Sequence, residues 1–217
     1  MAPAMRSFRL HRLRVAQAVA LTILGTTALT TAAAQPITTS EGLISVLAEV
    51  YRTMDLDLYS TLFTRAAVHG VESRFIQYEP MLPGDSEWGT DEELRIHRRM
   101  FIPESIGPDE DPLPYSLWVK SIDVELVRLT PFTERFDLYR SEQDPQAPLD
   151  RKRWRADESV YATNVVWHTR GGPSMGIAGR ARFVVIQDLV DCVDDGFYVY
   201  VWEDLGPGGG GIARADP

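Results

Sequence analysis

Acid–base chemistry near neutral pH needs a group that both gives and takes a proton, and histidine, with an ordinary pKa of about 6.5, is the side chain suited to it. Beyond the first thirty-odd residues the histidines are His69, His97 and His168. His97 lies in Arg95-Ile-His-Arg-Arg99, which reads as a solvated helix face. His168 ends a strand beside Thr169-Arg170, near a turn, and His69 reads as a strand residue hydrogen-bonded inside a sheet. Spacing supplies no partner for any of them. There is no His-x-His, His-x-x-x-His or Cys-x-x-Cys, so neither a metal nor a cofactor is expected. The acidic groups Asp109-Glu110-Asp111 and Asp191, Asp194, Asp195 lack the spaced-oxygen pattern of a calcium loop and read as solvated turns. No Gly-x-Ser-x-Gly elbow is present, and Gly208 to Gly211 has no strand before it or helix after it to make a phosphate loop. Cys192, the only cysteine, is flanked by Asp191 and Asp194, whose charge opposes thiolate formation.

Aromatic side chains are the other resource. Trp88, Trp118, Trp154, Trp167 and Trp202 accompany Tyr198 and Tyr200. Strand alternation puts Tyr198, Tyr200 and Trp202 on one face and Phe197, Val199 and Val201 on the other. Such rings line a pocket for a small hydrophobic ligand, or fill a core, or cover a sheet used for dimerisation.

The elements that hold these groups follow from capping and periodicity. Thr38 and Glu41 have capping-box spacing, and Leu43, Leu47, Val50 and Met54 then recur as one helical stripe. Asp55 caps a second helix carrying Leu58, Leu62 and Phe63. Ala67 to Tyr78 reads as a strand. Thr90 and Glu93 form another capping box, opening a helix through Leu94, His97 and Phe101. Residues 103–114 form a proline-rich acidic loop. Strands follow at Leu117–Leu129, Trp154–Trp167 and Ala178–Val190, and Asp195-Gly196 turns the chain into a last strand, Phe197–Asp204. Helices first and a meander afterwards imply an α+β fold.

The ends carry an address and a tail. Arg6, Arg9, Arg12 and Arg14 precede the apolar run Val15 to Gly25, and Ala32-Ala33-Ala34 offers a cleavage site after Ala34. Residues 1–34 therefore read as a signal peptide, so the protein is expected to be exported, periplasmic or extracellular. Without those four arginines the chain has 18 basic against 31 acidic residues, a formal charge of −13 rather than −9. That acidity repels phosphate backbones and anionic headgroups, so neither nucleic acid nor membrane is an expected partner of the mature chain. Residues 206–217, rich in glycine, are expected to be disordered.

The stretch Tyr51-Arg-Thr-Met-Asp-Leu-Asp-Leu-Tyr-Ser-Thr-Leu-Phe63, with Trp88-Gly-Thr-Asp-Glu-Glu-Leu94 after it and the final strand Asp195 to Asp204, resembles the NTF2-like superfamily, which includes SnoaL-like and ketosteroid-isomerase-like proteins. The resemblance spans Thr38 to Asp204. It implies an NTF2-like cone, about three N-terminal helices packed on a strongly curved, mostly antiparallel sheet, over residues 35–205, and a homodimer formed through the outer sheet face. In the isomerase pattern the base position falls on Val71 and the helix tyrosine on Leu47, neither able to do that chemistry. Glu72 and Tyr51 lie one residue and one helical turn away. A dehydratase-like site would pair His69 or His168 with Tyr51 or Tyr59. The pocket candidates are thus Tyr51, Tyr59, His69, Glu72, Trp88, Trp118, His168, Tyr198 and Trp202. The expected function is a non-catalytic binder of a small hydrophobic ligand or an accessory domain. The alternatives are an isomerase or dehydratase and a structural interaction module.

Overall fold

The computed structural model describes residues 37–78, 86–103, 114–190 and 196–207. Residues 1–34, expected as a signal peptide, the acidic groups at 109–111, 191, 194 and 195, Cys192 and residues 208–217 lie outside the described residues.

Helix α1 (Ser40–Thr53) is capped by Thr39 rather than Thr38, with the Thr39 hydroxyl accepting from the Gly42 N–H at 2.9 Å. Leu43, Leu47 and Val50 form its buried stripe. Met54, partly buried against the same core, ends the helix in the left-handed conformation, at φ 53°. Asp55 caps α2 (Leu56–Thr61), as its side-chain type requires. The stretch expected as a strand from Ala67 splits. Residues Ala66–His69 form a single helical turn, α3, closed by Gly70 at φ 74°, and only Arg74–Ile76 form strand β1. Gly70 explains the break, because a left-handed residue cannot continue a strand.

Strand β2 (Glu87–Gly89) leads into α4 (Thr90–Phe101). The other strands are β3 (Val119–Arg128), β4 (Thr133–Glu134), β5 (Trp154–Thr169), β6 (Met175–Asp188) and β7 (Phe197–Asp204). The sheet order is β2-β1-β7-β6-β5-β3, with β4 paired to β5. All pairings are antiparallel except β1 with β7. Register shifts at Val119/Ser121 and Val184/Val185 bend the sheet. This is the expected α+β arrangement, with the helices against one face of a mostly antiparallel sheet.

Two cores lie on opposite faces. The larger joins α1, α2 and α4 to the sheet through Leu43, Leu47, Tyr51, Tyr59, Phe63, Phe75, Tyr161 and Phe183. The smaller gathers Tyr139, Leu149, Trp154, Ile186, Tyr200 and Val201 on the outer face. There the segment 133–150 covers the sheet, held by a bridge between Tyr139 and Leu149 and by the Tyr139 hydroxyl accepting from the Ala156 N–H at 2.7 Å.

The shift on β7 reassigns its faces. Val184 pairs with Val201 and Val185 with Val199, which leaves Tyr200 as an extra residue. Strict alternation therefore fails after Tyr200. Tyr198 and Tyr200 join the outer core, whereas Trp202 turns to the helix side with Phe197 and Val199. The tail begins in order: Gly206 accepts from the Arg180 N–H and donates to Asp204. No helix among the described residues is long and apolar enough to cross a membrane.

Candidate functional site

The groups able to move protons converge inside the larger core, on elements far apart in sequence. Helix α4 has Thr90, Glu93, His97 and Phe101 on one buried face, at three- and four-residue spacing. His97 is thus not solvated: it is 4% exposed, and it is Arg95 and Arg98 that lie on the outer faces of the helix. Its Nε2 lies 2.6 Å from the Tyr51 hydroxyl on α1, and its Nδ1 lies 3.0 Å from both the Glu93 carbonyl and carboxylate. The Glu93 carboxylate also accepts from the Tyr59 hydroxyl of α2 at 2.5 Å and from the Trp88 indole N–H of β2 at 2.7 Å. Tyr51 and Tyr59 touch hydroxyl to hydroxyl at 3.5 Å.

Every polar side-chain atom in this set has a partner inside it. With a neutral His97 ring protonated at Nδ1, Tyr51 donates to Nε2. With both nitrogens protonated, Nε2–H donates to Tyr51, which donates onward to Tyr59. Either arrangement is satisfied. Burial raises Tyr51 and Tyr59 well above the ordinary tyrosine range, and the nearby Glu93 charge adds to it. Burial alone would push Glu93 up as well. The opposing influence of His97 and the hydrogen bonds from His97, Tyr59 and Trp88 outweigh it and hold the carboxyl below its usual 4.5. Rings close the set off: His97 packs at 4.4 Å on Tyr59 and edge-on to Phe101, and Tyr51 meets Trp202 at 5.9 Å.

A cleft of about 640 Å³ lies outside this core, lined by Gly70, Val71, Glu72, Ser73, Arg74, Glu87, Trp88, Gly89, Pro148 and Tyr200. Tyr51, Tyr59, Glu93 and His97 do not line it; Trp88 alone belongs to both regions. The cleft's charged groups are engaged. Glu72 accepts from the Ala66 N–H at 2.7 Å and the Thr90 N–H at 3.0 Å, so one carboxylate caps α3 and α4 together. That is the role the capping-box spacing had given to Glu93. A Cβ on Gly89 would stand 3.1 Å from that carboxylate, so the residue stays small where the two approach. Arg74 and Glu87 form a two-pronged pair at 2.6 and 2.7 Å across the β1–β2 ladder. What remains for a ligand is the apolar surface of Trp88, Tyr200, Val71 and Pro148.

The other expected residues lie apart. His69 accepts the Arg65 N–H on Nδ1 at 3.0 Å, within its own helical turn, and packs at a tilt against Tyr198 on the outer face. Burial, the largest influence on it, lowers its pKa. His168 bridges Ser174 and Asp123 at the far end of β5. Trp118 packs with Tyr115 beneath Arg170. Neither His69 nor His168 therefore meets Tyr51 or Tyr59; the histidine that does is His97. Among the described residues no group of three or more His, Cys, Asp or Glu is placed to hold a metal ion.

No protein-family model matches the chain, and no curated protein is significantly similar to it. Among solved structures, it is similar to a candidate dehydratase of the NTF2-like family from Streptomyces avermitilis, at 14% identity over 75% of this chain and 88% of that one, with a TM-score of 0.44. An NTF2-like superfamily protein from Salmonella enterica serovar Typhimurium is 12% identical over 80% of this chain and 92% of its own, with a TM-score of 0.40.

Proposed function

We propose that the protein is an exported, non-catalytic binding domain that takes a small, planar, hydrophobic ligand in the cleft between Trp88, Tyr200, Val71 and Pro148. One observation carries this reading. The groups able to do acid–base work, Tyr51, Tyr59, Glu93 and His97, are buried and saturated by one another, while the cleft open to a ligand offers rings and committed charges. A general acid or base must reach the proton it moves, and none of the four lines the cleft. Rings and aliphatic walls suit a flat apolar ligand. The basic start and apolar run before Ala34 support export. A homodimer would use the part of the outer sheet face that 133–150 leaves uncovered, where Asn164, Val166, Ala178 and Arg180 lie.

The test is a calorimetric titration of the purified protein with naphthol. Pro148 is exposed at the cleft wall, so Pro148→Glu adds a charge there without touching a core. Saturable binding that weakens at least about tenfold in this variant is expected, since an apolar ligand must then face a desolvated carboxylate. Absence of saturable binding, or unchanged affinity in Pro148→Glu, would overturn the reading.

A further inference from the structure

Helix α1 has a second flank. Glu41, Ser45, Ala48 and Arg52 recur at three- and four-residue spacing beside Ile44, and with Leu126 and Arg128 of β3 and Tyr161 of β5 they line a separate cleft of about 230 Å³. Ile44, Ala48 and Leu126 supply an apolar wall. The rim carries two guanidinium groups against one carboxylate. Arg128 reaches Glu41 at 2.8 Å, and Arg52 reaches Glu49 at 3.2 Å and the Val124 carbonyl at 2.8 Å. These ion pairs are about half exposed and give way readily to a competing anion.

Tyr161 is 4% exposed, and its hydroxyl finds no hydrogen-bond partner among the described residues. The ring is fixed edge-on to Phe183 at 5.6 Å and lies 6.3 Å from Phe132. Burial above all, with the Glu41 charge beside it and Arg128 opposing, pushes its pKa up to about 12. The hydroxyl therefore senses both rim charges and stays protonated, a donor without an acceptor at neutral pH. A stranded buried donor is unfavourable and rare in folded proteins, so an acceptor that reaches the hydroxyl from the cleft that Tyr161 lines gains a bond the protein itself does not supply.

We propose that this cleft binds a small monocarboxylic acid, its apolar body against Ile44, Ala48 and Leu126 and its carboxylate accepting from the Tyr161 hydroxyl beside Arg128. At ~30 Å³ for a water-sized group, the volume admits about eight heavy atoms, close to the size of benzoate. Glu41 at the rim disfavours a second negative charge, which selects monocarboxylates over dicarboxylates. The site is independent of the Trp88–Tyr200 cleft, since no residue lines both.

The test is calorimetric titration of the full chain with sodium benzoate, with benzyl alcohol and succinate as comparison ligands. Saturable benzoate binding is expected, stronger than that of either comparison ligand, weakened about tenfold or more in Tyr161→Phe because a hydrogen bond to a charged acceptor is lost, and unchanged in Pro148→Glu. Unliganded Tyr161→Phe should melt at or above the wild-type temperature, since it loses only an unpartnered hydroxyl. Failure of benzoate to saturate, equal affinity in Tyr161→Phe, or a Tyr161→Phe protein that melts well below wild type would each overturn the proposal.

Discussion

The interior network and the Trp88–Tyr200 cleft share one side chain and differ in everything that decides chemistry. Inside, a carboxylate, an imidazole, two phenols and an indole satisfy one another in a space sealed by Phe101 and Trp202. Outside, Glu72 and the Arg74–Glu87 pair are spent on helix ends and on the β1–β2 ladder, leaving an apolar surface. Proximity of acids, bases and tyrosines is thus a poor guide to catalysis. Access and unspent hydrogen-bonding capacity matter as much, and Tyr51, Tyr59, Glu93 and His97 are partnered by one another and do not line the cleft.

The largest effect that would break this contrast is Glu93→Ala. It strands the Tyr59 O–H, the Trp88 N–H and His97 in a dry interior, and a loss of about 3–5 kcal/mol is expected in urea unfolding. Next comes Trp88→Phe, which keeps a ring at the cleft while removing the N–H. Stability should fall by about 1–3 kcal/mol, with naphthol affinity changed far less than in Pro148→Glu. Tyr51→Phe removes one partner of His97 and should cost about 1–2 kcal/mol by the same measurement.

The pH dependence sharpens the comparison further. Because Glu93 titrates below its ordinary 4.5 in the folded chain, its contribution is present above that pH and is lost as pH falls through the lower folded value. Stability of the wild type should therefore drop below pH 4.5 more steeply than that of Glu93→Gln, measured by urea unfolding across the acid range. The smallest effect belongs to the cleft. Arg74→Gln breaks a pair whose side chains are nearly half exposed, and its cost should stay below about 1 kcal/mol.

Much of the scaffold was legible because local signals agreed. Asp55 capped its helix, and Phe197–Asp204 formed a strand after the Asp-Gly turn signal. The site was less legible, for identifiable reasons. Arg95, Arg98 and Arg99 made the surroundings of His97 look solvated, yet Thr90, Glu93, His97 and Phe101 recur at helical spacing, and that stripe was the available signal. The capping-box spacing of Thr90 and Glu93 was real but unused, since Glu72, distant in sequence, caps α4 and frees Glu93 to point inward. Trp202 was assigned to the wrong face because one extra residue at Tyr200 inverts the alternation, and a bulge of that kind depends on pairing with β6 rather than on β7 itself. The cover over the outer face, 133–150, carries no periodic signal of its own, because its anchors Tyr139 and Leu149 meet through tertiary contact.

The most direct test of the division between sealed interior and open cleft is two-dimensional NMR of the nitrogen-labelled protein during a naphthol titration. The account predicts shifts of the Trp88 indole N–H and of the backbone amides of Val71, Ser73 and Gly89, with the amides of Tyr51, Tyr59 and His97 unmoved. Shifts centred on Tyr51, Tyr59 and His97 instead would contradict it, placing the ligand in the interior and returning those residues to the chemistry.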